Sequence, residues 1–237
     1  QMFTTAGDVY AANASTRLGN HFNISASYNG YLQTQYDGTV KVNDSTRINR
    51  VMHSASLSPS YSYDTDMLGH TASMSLNYTS NKDLNPYAKG ETDVQTMAFG
   101  LSYSMDAKPI ETNFTLSFSH QDSKGFSSHY RSDVLSLGAS RSFLKEKNLN
   151  FSGTLSLCYN EIKRQSKSLS MGCDLSANYT YKEAHMFSAS AGFNKYGDVN
   201  ITKKRSSLDC TDISISFNYA YTFTLLAIKS KANKAKK

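Results

Sequence analysis

The chain has 237 residues, room for one large domain or two ordinary ones; 39% of them are hydrophobic, mean hydropathy is -0.49 and the formal charge is +6. No run approaches the roughly 18 to 20 consecutive apolar residues of a spanning helix, and only three prolines and thirteen glycines argue against a disordered or collagen-like chain. The positive charge is local: Lys229, Lys231, Lys234, Lys236 and Lys237 crowd the final segment, which reads as a solvated tail, so no basic face for nucleic acid is expected.

Alternation dominates everything before that tail. From Ile213 to Phe223 every odd position is apolar or aromatic and every even one small or polar. Side chains alternate across a strand, so such a segment has one greasy face and one wet face. In chain order the pattern predicts strands near 4–17 (the least regular), 21–36, 50–63, 70–80, 93–105 and 111–121, then 131–144, 148–161, 168–181, 185–198 and 208–223. The second points Phe22, Ile24, Ala26, Tyr28 and Leu32 one way; the sixth does so with Phe114, Leu116 and Phe118, and the eighth with Phe151, Leu155, Leu157 and Tyr159. About eleven such strands with no apolar helix to cover them predict an all-β, antiparallel up-and-down barrel whose outer face touches lipid.

Connections are expected to alternate in length. Short ones fall near 18–20, 65–69, 107–110, 145–147 and 182–184; longer ones near 37–49, 81–92, 121–130, 162–167 and 199–207. In bacterial barrels the short turns are periplasmic and the long loops external, so the last strand runs toward the periplasm. The first then runs the same way and begins outside, which a barrel with an even strand count does not allow. The expectation is therefore a barrel of twelve or more strands, of which residues 1–223 are the C-terminal part, with 224–237 as a basic tail; a misread first segment is the other explanation. Gln1 is preceded by no signal core, which fits a mature product or a later part of a longer one.

The wet faces should line the lumen. Ser56, Ser58, Ser102, Ser140 and Ser190 represent a wall of Ser, Asn, Thr and Gly, and Asp174 is its main charged exception. Charged ladders of the kind that set ion selectivity are nearly absent. At the external edge His120, Asp122, His129 and Asp133 lie across one hairpin, and a His–Asp pair is a reasonable base; abundant serine makes any Ser–His coincidence cheap, so hydrolysis is only a minor reading. Cys158, Cys173 and Cys210 show no metal spacing, and Cys158 and Cys173 fall on opposite faces. No catalytic set, metal site or cofactor is expected. Arg141 has lipid-side parity but lies close to a turn, where it could reach the interface.

The chain resembles outer-membrane β-barrels of Gram-negative bacteria, and its Ser/Asn/Tyr-rich, Trp-free style is similar to those of the Bacteroidota. The last strand, with Ile213, Ile215, Phe217, Tyr219, Tyr221 and Phe223, resembles the C-terminal signal by which the barrel-assembly machinery recognises its clients. Here Thr224 to Lys237 follow it, a departure from the pattern. The resemblance implies outer-membrane localisation and contact with lipid and lipopolysaccharide. It also implies the assembly machinery during insertion, and other outer-membrane or periplasmic proteins, as partners. Two functions follow: an anchor, scaffold or translocation module of a larger assembly, or a porin-like passive or plugged pore.

Overall fold

The computed structural model describes residues 3–37, 49–85, 90, 92–144, 148–182, 184–200 and 205–222. They form one antiparallel sheet of eleven strands in sequence order. The strands are β1 (Phe3–Leu18), β2 (Phe22–Asp37), β3 (Asn49–Asp64), β4 (Leu68–Asp83), β5 (Val94–Ala107) and β6 (Thr112–Gly125). They continue with β7 (His129–Phe143), β8 (Leu149–Ile162), β9 (Ser166–Tyr181), β10 (His185–Asn200) and β11 (Arg205–Tyr221). A single 3-10 turn, Lys108–Ile110, links β5 to β6. The irregular first segment is thus a full strand. Phe223 and the tail 224–237 lie outside the described residues.

The register fixes the faces. One row perpendicular to the strands crosses the whole sheet as Leu18, Phe22, Tyr61, Ala72, Tyr103, Leu116, Leu137, Leu155, Cys173, Phe193 and Ile213. The next row, one residue away, is Arg17, Asn23, Ser60, Ser73, Ser102, Ser117, Ser136, Ser156, Gly172, Asn194 and Asp212. A slip of one residue at any pairing would exchange these rows between faces, so the alternation itself pins the register.

Among the described residues no second layer covers either face. Among the described residues Ala107, at 8% exposure, is the only buried hydrophobic one, while Leu116, Leu137, Leu155 and Leu157 are all exposed by more than a third. A protein in water buries its large apolar side chains in a core, and here there is none. One apolar face, one small polar face and meander topology are the wall of a transmembrane barrel, with hydrocarbon in the place of a packed layer.

The apolar face ends in aromatics at the short-turn side. Tyr179, Phe187 and Tyr219 stack across β9, β10 and β11, and Phe143 meets Phe151 edge-on. Amphipathic rings suit the headgroup level. Arg141, on the same face, places its guanidinium 4.7 Å from the centre of the Phe143 ring.

At the opposite side the structure departs from the predicted loops. Strand β6 continues to Gly125 and β7 begins at His129, so the expected connection 121–130 shrinks to residues 126–128. Likewise 162–167 shrinks to 163–165 and 199–207 to 201–204. Of the five longer connections, only 38–48 and 84–93 remain long. Alternation of apolar residues stops there, but backbone pairing does not.

Candidate functional site

The six residues expected to line the lumen all lie on the small polar face. Ser56 Oγ is 2.6 Å from Ser27 Oγ, Ser102 Oγ is 2.6 Å from Ser73 Oγ, and Ser190 Oγ is 2.7 Å from Ser216 Oγ. Ser58 accepts a long bond at its carbonyl from Ser25 Oγ. Ser140 stands between Asn113 and Ser152. These hydroxyls bond one another across strands, so much of the wall's polar capacity is spent within the wall.

Glycines on this face make room for their neighbours. A Cβ on Gly138 would meet Thr115 Oγ1 at 2.5 Å, and one on Gly100 would meet Ser75 Oγ at 2.6 Å. On Gly192 it would stand 2.8 Å from Ser214 Oγ and 3.0 Å from Asp174 Oδ1. Asp174 thus leans over Gly192 of β10, with Thr154 of β8 on its other side and no basic residue directly across either strand.

The apolar face carries a different polar device. His70 Nδ1 is 2.7 Å from Tyr103 Oη, His53 Nδ1 is 2.8 Å from Tyr28 Oη, and His185 Nδ1 is 2.8 Å from Tyr219 Oη. Each pairing joins adjacent strands and satisfies two polar tips on an otherwise oily surface. Tyr28 reaches His53 by lying over Gly30, whose missing side chain leaves the space.

The predicted His and Asp residues do meet. His120 Nδ1 is 2.5 Å from Asp133 Oδ1, and His129 Nε2 is 2.9 Å from Asp122 Oδ2. Arg131 Nε donates to Asp133 Oδ2 at 2.8 Å, the Tyr159 hydroxyl donates to Glu161 at 3.0 Å, and Lys167 pairs with Glu161 at 3.5 Å. The register puts this whole network on the same face as Phe118, Leu135 and Leu157, at the far ends of β6 to β9. It stands at the long-loop end of the apolar face, on the side opposite the serine rows. Phe99 and Tyr159 flank the His120–Asp133 row, and Met97 and Glu161 flank the Asp122–Arg131 row. No serine, threonine or cysteine shares those positions. Lys167 escapes sequence reasoning because its strand reads there as loop, and Arg131 and Glu161 because they stand at the outermost positions of their predicted strands; their common parity with Leu135, Leu157 and Leu169 was the signal that could have found them.

The three cysteines are free, and among the described residues no group of three His, Cys, Asp or Glu side chains converges closely enough to hold a metal. The expected assembly-signal strand is β11. Its Ile213, Ile215, Phe217, Tyr219 and Tyr221 share the apolar face, exposed by 68, 67, 78, 57 and 52%; Phe223 lies outside the described residues.

No family model and no curated protein matches the sequence. Solved structures similar to the chain are outer-membrane β-barrels. One is OmpT, an outer membrane protein of Vibrio cholerae, at 7% identity and a TM-score of 0.46, covering 92% of this chain and 96% of that one. The beta domain of the Bordetella autotransporter BrkA is 9% identical with a TM-score of 0.32, covering 93% and 91% of the two chains. LpxR from Salmonella typhimurium is 9% identical with a TM-score of 0.33, covering 90% and 88%. Similarity this distant decides nothing about activity, substrate or partner; the fold rests on the chain's own strand pairing.

Proposed function

We propose that the chain is an integral outer-membrane β-barrel wall that serves as anchor, scaffold or translocation module of a larger outer-membrane assembly. The observation that carries this reading is the absence of a core: Ala107 alone among the described hydrophobic residues is buried, while most of the large apolar side chains share one open face. Lipid, and lipopolysaccharide at the charged rim of β6 to β9, would solvate that face. Strand β11, with aromatic Phe217, Tyr219 and Tyr221 on its apolar side, would be the segment read by the assembly machinery during insertion.

The anchoring role is favoured over chemistry by the inner face. Its hydroxyls bond each other, as at Ser73 and Ser102 or Ser152 and Ser176, and the one His–Asp network stands on the opposite face. Such a wall offers a surface of mostly small, uncharged side chains to a segment or partner passing through it. A pore is the second reading, favoured by the unbroken polar row from Ser60 to Ser156, which would leave width for water. Planar-bilayer recording of the protein purified in detergent separates the two. Silence, with large partners co-purifying, supports the anchor; stable open channels with a solute size cutoff support the pore and overturn the anchor.

A further inference from the structure

The apolar face is not uniform. Toward the short-turn ends of β7 to β11 a shallow groove of about 670 Å³ opens on it, within the roughly 300–1,000 Å³ of small-molecule sites. Its floor is low where Ala139, Gly153, Ala177, Ala189 and Ala191 carry little or no side chain, and Phe151, Leu175 and Phe217 stand beside them. The register sets this shape. Phe151, Ala177, Ala189 and Phe217 form one row, and Gly153, Leu175, Ala191 and Ile215 form the next. Gly153 lets Leu175 lie over it, since a Cβ there would meet Leu175 Cδ2 at 3.0 Å. A second groove of about 620 Å³ joins the first at Ala139, Gly153 and Leu175 and continues toward the middle rows at Leu137 and Leu155.

One cation lines this groove. Arg141 stands at its short-turn side, with the guanidinium braced 4.7 Å from the centre of the Phe143 ring. Thr112 and Phe151 lie directly across from it, and it forms no ion pair with a described carboxylate. Arg131, on the same strand and face at the other end, differs: its Nε donates to Asp133 at 2.8 Å. A guanidinium whose planar donors have no protein partner suits a phosphate, which it can hold by paired charge-assisted bonds. Lys182, 5.1 Å from the centre of the Tyr181 ring, adds a second cation at the same edge of the sheet.

We propose that the groove is a binding site for one anionic glycerophospholipid of the periplasmic leaflet, of the phosphatidylglycerol class, with its phosphate on Arg141 and an acyl chain along the floor at Ala177 and Ala189. This rests on the outer-membrane reading above. Each end of the ligand matches a feature of the site: the trough suits hydrocarbon, and the unpaired cation suits an anion. The leaflet follows from orientation. Arg141 stands two residues before the end of β7 at a short turn, and short turns are periplasmic. A second copy of the chain is a poorer occupant. Inserted the same way up, it would hold Asp122, Asp133 and Glu161, the acids of this face on β6 to β8, at the opposite membrane surface.

The chain contains no tryptophan, so Phe151→Trp places its single indole in the groove wall. That protein is reconstituted in phosphatidylcholine vesicles with rising fractions of brominated phosphatidylglycerol, and quenching of the indole gives the relative affinity of the two lipids at the groove. The proposal expects phosphatidylglycerol to be preferred about fivefold, the scale of one arginine near an anionic headgroup. Arg141→Gln should abolish the preference, and Ala189→Phe, which fills the floor and leaves the cation, should reduce it. Arg131→Gln at the other end should leave it unchanged. No preference, one that survives Arg141→Gln or Ala189→Phe, or one lost equally with Arg131→Gln overturns the site. Displacement of the brominated lipid by lipopolysaccharide at equal mole fraction overturns it too. The same probe as Leu116→Trp, in the middle of the sheet, keeps the two readings apart. Quenching at Leu116 with none at Phe151 means that a second copy or another protein fills the groove, and sinks only the lipid site; no quenching at either position sinks the membrane reading itself.

Discussion

Two stretches of the same hairpin, on the same face, have opposite chemistry. Between β6 and β7 the middle rows pair Phe114 with Ala139, Leu116 with Leu137 and Phe118 with Leu135; the next rows outward pair His120 with Asp133 and Asp122 with Arg131. Backbone pairing is continuous through both stretches. Side-chain parity is the same, so the change marks where the surrounding solvent changes. Apolar side chains meet hydrocarbon below Phe118, and paired charges meet headgroups and water above His120. A charged group is costly in the first zone and nearly free in the second. The sheet therefore extends past its membrane belt on the long-loop side, and its end is set by the tip at residues 126–128 rather than by the lipid boundary.

Leu137→Arg breaks this comparison most severely. A lipid-facing arginine near mid-depth is expected to lower the unfolding free energy by about 2–4 kcal/mol, read as a shifted urea midpoint in vesicles. Gly138→Val on the same strand tests the other face. Its new side chain would crowd Thr115, and overpacking of this kind costs about 1–3 kcal/mol; pairing it with Thr115→Ala should recover part of the loss. Tyr103→Phe removes one hydroxyl from the apolar face and leaves His70 without its partner, for a loss of about 0.5–1.5 kcal/mol. Smallest is Asp122→Asn in the rim, where a half-buried pair with His129 is weakened and the change should stay below about 1 kcal/mol. A rim effect as large as that of Leu137→Arg would mean that the network is buried in the bilayer or against a partner.

The faces of the sheet are legible in the sequence because the period of a strand is fixed. Ser102 and Leu101 fall on opposite sides whatever the strand pairs with, and all six candidate lumen residues lie on the side that parity predicts. Strand ends are not legible in the same way. Sequence reading detects a strand by the contrast between its faces, and at Asp122 to Lys124 both faces are polar, so a continuing strand reads as loop. Cross-strand partners need the register as well as the parity. His70 and Tyr103 are recognisable as members of one oily face, but their contact depends on the register between β4 and β5, which the connection 84–93 joins. The His120–Asp133 contact is readable because one short hairpin joins its partners; the extension of that network to Glu161 and Lys167 crosses a further hairpin and is not.

The account stands on the apolar rows facing acyl chains. Nitroxide labels placed singly at Leu116, Leu157 and Ser117 of the reconstituted protein, with collision rates measured against oxygen and a water-soluble nickel chelate, test this directly. Leu116 and Leu157 should be accessible to oxygen and shielded from nickel, with Ser117 the reverse. Equal nickel access at all three, or immobile labels at both leucines shielded from either reagent, would mean that water or a protein layer covers that face instead.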